Sequence, residues 1–358
     1  MASAPAKSLD EKLARILADP DCGDFLLADA KDADMAFGLA APGLAAGGVP
    51  GQGPFRSMQE YRDSIRELVA EGLVDIMLMS GSTCEVLAIE ERLFDQSPVT
   101  PAVRMNDTTD IWLAAGTGGY GRQPALPFAT TTIHHARWGT ADPPPAAPRG
   151  GPFPGANLGL FSITLNDDAA LDREMLAAYR TFRLEAERAG FRHFLEVFYP
   201  NAPGAVPGKA ADARPENVAR FLADHVVRTL AGVPRAGRPV FLKIPYLGPD
   251  VMEQLAAYDR SLVVGVLGGG AGTTADAFGL LADAKRHGAR VALFGRKINA
   301  SEHQPTFVRH LRLVADGDMA PEEAVRSYHA ALDTLGIRPA RSLADNLVRT
   351  PLASAYGG

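Results

Sequence analysis

Cysteine is almost absent from this chain of 358 residues: Cys22 and Cys84 are the only two, too few for a disulfide framework or a zinc ribbon. No uninterrupted apolar run approaches the ~20 residues a membrane span needs, and the opening segment MASAPAKSLDEK turns polar before a signal-peptide core can develop. An excess of positive charge is missing as well. Lys and Arg number 36 against 42 Asp and Glu, a net charge of −6, which argues against the basic face of a nucleic-acid binder. With 46% hydrophobic residues there is ample material for a buried core. These absences predict a soluble, cytoplasmic protein with no nucleic-acid or membrane partner. Lysine is scarce too, seven against 29 arginines. Six of the seven sit in polar or loop-like surroundings; Lys243 alone lies inside an apolar, strand-like run, VFLKIPY.

What is present is a rhythm. Strand-like and helix-like segments alternate over most of the length, the pattern of repeated βα units around a parallel sheet. Ser8-Leu9-Asp10-Glu11 has capping-box spacing and opens a short helix to about Ala18. Strands are expected at DMAFGL (34–39), VDIMLMS (74–80), PAVRMN (101–106), LGLFSITLN (158–166), HFLEVF (193–198), PVFLKI (239–244), SLVVGVL (261–267) and ARVALFG (289–295). The Pro/Gly-rich APGLAAGGVPGQGPF reads as a loop, and SMQEYRDSIRELVAE as a helix stopped by Gly72. Eight strands with intervening helices predict a (β/α)8 barrel, whose core uses ~250 residues. An N-terminal helical extension, an insertion of about 117–154 between strands 3 and 4 and a C-terminal arm of about 338–358 take up the rest of a single domain, 1–358. The insertion is too long and too rich in Pro and Gly for an ordinary connection; its ATTTIHHARW piece looks strand-like and suggests a hairpin.

In such barrels chemistry projects from the C-terminal ends of the strands. Those ends, with the first strand as a whole, offer Asp34, Arg104, Asn106, Asp107, Asn166, Glu196, Lys243, Gly268, Gly269, Gly270, Gly295 and Arg296. An apolar strand penalises the ammonium form of a lysine, and the neutral amine can attack a ketone or aldehyde and serve as an electron sink. Pairing with Glu196, or snorkelling to the barrel mouth, is the competing reading of Lys243. Glu196 on the preceding strand is in reach to carry protons. GGGAG after strand 7 and FGRK after strand 8 suit an anion nest supplemented by Arg296, and the helix beginning near Thr273 would add its N-terminal dipole. His134 and His135 are neighbours on a strand-like piece and would point to opposite faces, so no metal is expected there. Cys84 reads as a buried structural thiol.

The succession AVRMNDTT, GLFSITLND, FLEVFYP, FLKIPY, VVGVLGGG and DAKRHGARVALFGRKI resembles the class I aldolases of the DeoC/LacD/DhnA-type fructose-bisphosphate aldolase superfamily, over roughly Val74 to Leu332 without the insertion. The resemblance implies a barrel with no metal or other cofactor, and a phosphorylated sugar or related ketose as substrate. It also implies Lys243 as the Schiff-base residue, Glu196 and Asp34 as acid/base groups, and a phosphate on Gly269, Gly270, Gly295 and Arg296; Gly268, Arg104 and Asn106, from the strand ends, are expected to join them in binding substrate or phosphate. The sequence departs from that family in offering Asn166 and Asp167 where several members have a lysine or tyrosine near strand 4. Leu267 stands where a serine precedes the glycine pair, and Lys297 follows Arg296 where an asparagine is usual. The insertion, with Arg122, His134, His135, Arg137 and Trp138, would then close over the mouth and supply missing groups. Two other readings stay open: a sugar-phosphate isomerase or epimerase using Glu196 or His134 as base, and a non-catalytic sugar-phosphate-binding barrel. Leu347, Leu352 and Tyr356 on the arm would suit a subunit contact in a homo-oligomer.

Overall fold

The computed structural model describes residues 5–19, 21–49, 52–109, 123–145, 151–202, 215–270 and 272–350. Eight parallel strands form the sheet: β1 Leu26–Lys31, β2 Ile76–Met79, β3 Thr100–Arg104, β4 Leu158–Thr164, β5 Arg192–Phe198, β6 Leu242–Lys243, β7 Gly265–Leu267 and β8 Val291–Phe294. They run in the order β6-β5-β4-β3-β2-β1-β8-β7. A parallel bridge between Ile244 and Val266 joins the two ends and closes the barrel.

Strand alternation sorts the side chains into two cores. Leu26, Ala28, Leu78, Ala102, Leu160, Phe194, Phe241, Val291 and Leu293 fill the interior, where the rings of Phe194 and Phe241 stack at 4.6 Å. The N-terminal helix Ser8–Ala18 lays Leu9, Leu13 and Ile16 against this interior cluster and closes the barrel at the N-terminal ends of the strands. Residues of the opposite parity, among them Leu27, Met77, Val103, Phe161 and Leu195, pack outward against the helices.

Several expectations are corrected. The first strand is Leu26–Lys31, and Asp34 falls on a short helix, Ala33–Phe37, where DMAFGL was expected to be extended. The true strand looks unlike one because it carries Asp29 and Lys31; both point outward and pair with each other at 3.6 Å, fully buried. Lys31 is therefore more deeply buried than Lys243, contrary to its polar surroundings in sequence. Residues of the presumed loop form a hairpin, Leu44–Val49 with Gly53–Phe55. IHHARW is a helix, Ile133–Trp138, capped by the Thr132 side chain. The expected capping box at Ser8 is not made, since Lys7 is the N-cap; complete boxes occur instead at Ser57/Glu60 and Thr273/Asp276. A helix that the sequence reading omitted, Gln304–Asp316, follows β8.

One outward residue makes stability depend on pH. His193 on β5 lies against Tyr179, its Nε2 at 3.0 Å from the hydroxyl, and edge-on to Phe182. Burial, reinforced by the nearby Arg183 charge, pushes it down to about 4. A group depressed in the folded state stabilises the fold above its unfolded value near 6.5 and loses that contribution as pH falls toward 4. His193→Phe is expected to abolish about 2–3 kcal/mol of the stability difference between pH 7 and pH 4.5, read from urea midpoints at the two pH values. An unchanged difference would show that His193 is not the group responsible.

Candidate active site

The interior turns polar in its last layer. Two residues beyond Ala30, Ala102, Leu160, Phe194 and Phe241, the same inward parity brings Asp32, Arg104, Ser162, Glu196 and Lys243 to the C-terminal mouth. Ser162, Glu196 and Lys243 are direct register neighbours across β4, β5 and β6. All five are buried. Asp32, Arg104, Glu196 and Lys243 rim a cavity of about 150 Å³ whose apolar wall includes Phe37, Phe198 and Leu267, with Ser162 set behind them.

Lys243 Nζ lies 2.6 Å from Glu196 Oε1. The other carboxylate oxygen, Oε2, accepts from Ser162 Oγ at 2.7 Å and stands 3.6 Å from an Arg104 nitrogen. Arg104 also donates to Asp32 Oδ2 at 2.7 Å and to the Asn106 carbonyl at 3.0 Å, and lies 3.3 Å from Asp107 Oδ1. Burial works against its charge, but the carboxylates of Asp107, Asp32 and Glu196 outweigh it and hold the guanidinium above its ordinary pKa. The result is a fixed cation between carboxylates, with Lys243 on the far side of Glu196. An ammonium and a carboxylate at this separation can exchange one proton to become an amine and a carboxylic acid, a nucleophile beside a proton donor.

Other predicted residues are distributed differently. Asp34 lies outside this group: its Oδ2 accepts from Ser80 Oγ at 2.5 Å, and burial raises its pKa against the effect of that bond. It fastens the helix Ala33–Phe37 to the end of β2, while Ala33, Ala36 and Phe37 face the cavity. Asp32, two residues earlier, holds the position expected of Asp34; reading alternation from Phe25-Leu26-Leu27 would have found it. Asn106 is committed to protein, its amide donating to the Ser162 carbonyl at 2.9 Å and accepting from the Ser162 N–H at 2.6 Å.

Gly268, Gly269, Gly295 and Arg296 all line the cavity. The Gly268 N–H is taken by the Leu293 carbonyl. Arg296 packs so closely over Gly270 that an added Cβ there would meet its Nε at 2.7 Å. At the N-terminus of the helix Thr274–Arg286 the Thr273, Thr274 and Asp276 N–H groups are bonded within the protein. The Thr273 N–H goes to Asp276 and the Thr274 N–H to Asn346 of the arm, whose Thr350 also donates to Asp276. Burial opposes the Asp276 charge, yet the N–H groups of Thr273 and Thr350 hold its pKa below the usual value.

Of the insertion, the described helix Ile133–Trp138 lies on the outside of the barrel. Arg137 donates to the carbonyls of Ala189 and Gly190, at the end of the helix Ala169–Ala189 farthest from the mouth. His134, His135 and Trp138 are absent from the cavity wall; Arg122, Leu352 and Tyr356 lie outside the described residues. Cys84 is buried, and burial drives its thiol up to about 12. Among the described residues no three His, Cys, Asp or Glu side chains are grouped to hold a metal ion, and no helix is long and apolar enough to cross a membrane.

The cavity thus holds a lysine–carboxylate pair at the mouth of a (β/α)8 barrel, an architecture shared with several solved structures. The fold is similar to an archaeal fructose 1,6-bisphosphate aldolase at 18% identity, TM-score 0.56, over 87% of this chain and 100% of that one. It is similar to a Schiff-base-forming fructose-1,6-bisphosphate aldolase at 17% identity, TM-score 0.57, over 86% and 100%. The fructose-bisphosphate aldolase from Slackia heliotrinireducens matches at 16% identity, TM-score 0.58, over 92% and 95%. At these identities the likeness establishes the barrel fold. No protein-family model matches the sequence, and a search of curated proteins finds no significant match.

Proposed function

We propose that this chain is a class I aldolase that makes or breaks a carbon–carbon bond of a ketose phosphate through an imine on Lys243. The observation that carries the reading is the 2.6 Å pair of Lys243 and Glu196, buried at the mouth of the barrel. In this reading the proton on Lys243 passes to Glu196 Oε1, and the freed amine adds to the substrate carbonyl. Glu196 returns the proton to the carbinolamine hydroxyl, which leaves as water. The resulting iminium accepts the electron pair of the breaking bond. Asp32, opposite Arg104 on the same cavity, takes the second acid/base role that sequence reasoning gave to Asp34.

The phosphate would bind between the Gly269–Gly270 turn and Gly295–Arg296. Glycine turns of this kind place backbone N–H groups against an anion, and Arg296 adds charge. Two of the similar structures are fructose 1,6-bisphosphate aldolases, which favours a sugar phosphate over other carbonyl compounds.

Borohydride reduction in the presence of ketose phosphates, dihydroxyacetone phosphate or pyruvate tests this directly. A mass increment mapped to Lys243 is expected, and its size identifies the donor. If no donor leaves an adduct and turnover moves no carbon, an isomerase with Glu196 as base replaces the aldolase.

A further inference from the structure

We propose that Ser162 is a positioning residue that keeps the Glu196 carboxylate aimed at Lys243, and that Asn106 holds it in place. The inference deepens the reading of Lys243 as an amine nucleophile and rests on it.

The argument starts from where a strand stops. β3 ends at Arg104, yet β4 continues to Thr164 and needs partners for its backbone. Asn106 provides them with its side chain, presenting an acceptor to the Ser162 N–H at 2.6 Å and a donor to the Ser162 carbonyl at 2.9 Å. One amide thereby continues the sheet ladder beyond the strand and fixes both backbone polar groups of a single residue. That residue is fully buried, and its hydroxyl has two neighbours. It donates to Glu196 Oε2 at 2.7 Å and accepts from an Arg104 nitrogen at 3.5 Å.

One consequence follows for Glu196. Its carboxylate cannot rotate freely, so Oε1 stays directed at Lys243, where it can take the ammonium proton and free the amine. Ser162 does this without touching the substrate.

Carbamoylation by cyanate reads this directly, because isocyanic acid is small and adds only to a neutral amine. A C–N bond forms to Nζ, one amine proton moves to the reagent nitrogen, and nothing leaves. Peptide mapping at pH 7 is expected to show Lys243 labelled about tenfold more slowly in Ser162→Ala than in the unaltered protein, a change of about 1.4 kcal/mol by the usual conversion. Ser162→Thr, which keeps the hydroxyl, should recover the rate to within about threefold. Thr164→Val is the control: this inward hydroxyl, one layer further along β4, bonds Thr108 at 2.9 Å and, among the described residues, does not reach Glu196 or Lys243, and its loss should leave the labelling rate unchanged.

Wild-type labelling in Ser162→Ala would overturn the proposal, as would an equal slowing in Thr164→Val, which would mean general loosening. Should the alanine variant fail to fold, Ser162→Cys, close in size and a weak donor, carries the same expectation. The aldolase reading fails separately: slow cyanate labelling in Ser162→Ala, combined with no ketose adduct in the unaltered protein, would leave the positioning role standing and remove the imine.

Discussion

Lys243→Arg should lose activity by a factor on the order of 10⁴ or more and give no borohydride adduct with any ketose phosphate. The substitution is chosen because it separates two roles. A guanidinium keeps the positive charge beside Glu196 Oε1, now 2.6 Å from Nζ, but cannot act as an amine nucleophile at neutral pH. If Lys243 only stabilised an enediolate, arginine would retain a substantial part of the rate. Steady-state cleavage assays and intact mass after reduction decide the matter together; more than about a hundredth of the original kcat, by the same free-energy conversion, would remove covalent catalysis from the proposal.

A second large effect is expected from Arg104→Met, and it is one of stability as well as rate. The guanidinium is buried among Asp32, Asp107 and Glu196, at 2.7, 3.3 and 3.6 Å. Removing it leaves buried carboxylates without their cation, a loss of about 3–5 kcal/mol. The sign with pH follows from the same geometry. Without Arg104 the like charges of these buried carboxylates repel one another, and acid, by neutralising them, relieves that repulsion. The penalty relative to the unaltered protein should therefore be greater at pH 8 than at pH 5, measured by urea unfolding at both. A penalty independent of pH would mean that lost packing, rather than charge, dominates.

The alternation of strands and helices made the barrel legible, and with it the meeting of Glu196 with Lys243, because a parallel sheet carries residues of like parity to one level. The first strand was hidden by its own chemistry: Asp29 and Lys31 look like a solvated pair until the structure puts them against each other and Lys31 Nζ on Gln304 Oε1 at 2.6 Å. Missing that strand put Asp34 on an extended segment, whereas it lies on the helix Ala33–Phe37 and Asp32 follows the strand's inward parity. Asn106 was read as a substrate ligand because it stands at a strand end, and no local pattern reveals that its amide is used by Ser162. The serine was passed over as an ordinary member of an apolar run, although its parity with Glu196 was available. Helix capping was misassigned at Ser8 for a related reason: the spacing is right, but the hydroxyl faces the Pro98 carbonyl instead.

The helix Ser8–Ala18 seals the lower end of the barrel and Phe194 and Phe241 fill the space above it, so the described interior has one doorway. For a cleavage reaction this dictates a queue. In the cleavage proposed above, the fragment bonded to Lys243 is held until water releases it, so the aldehyde would depart first and the anchored half last, making product inhibition by the two halves unequal in kind.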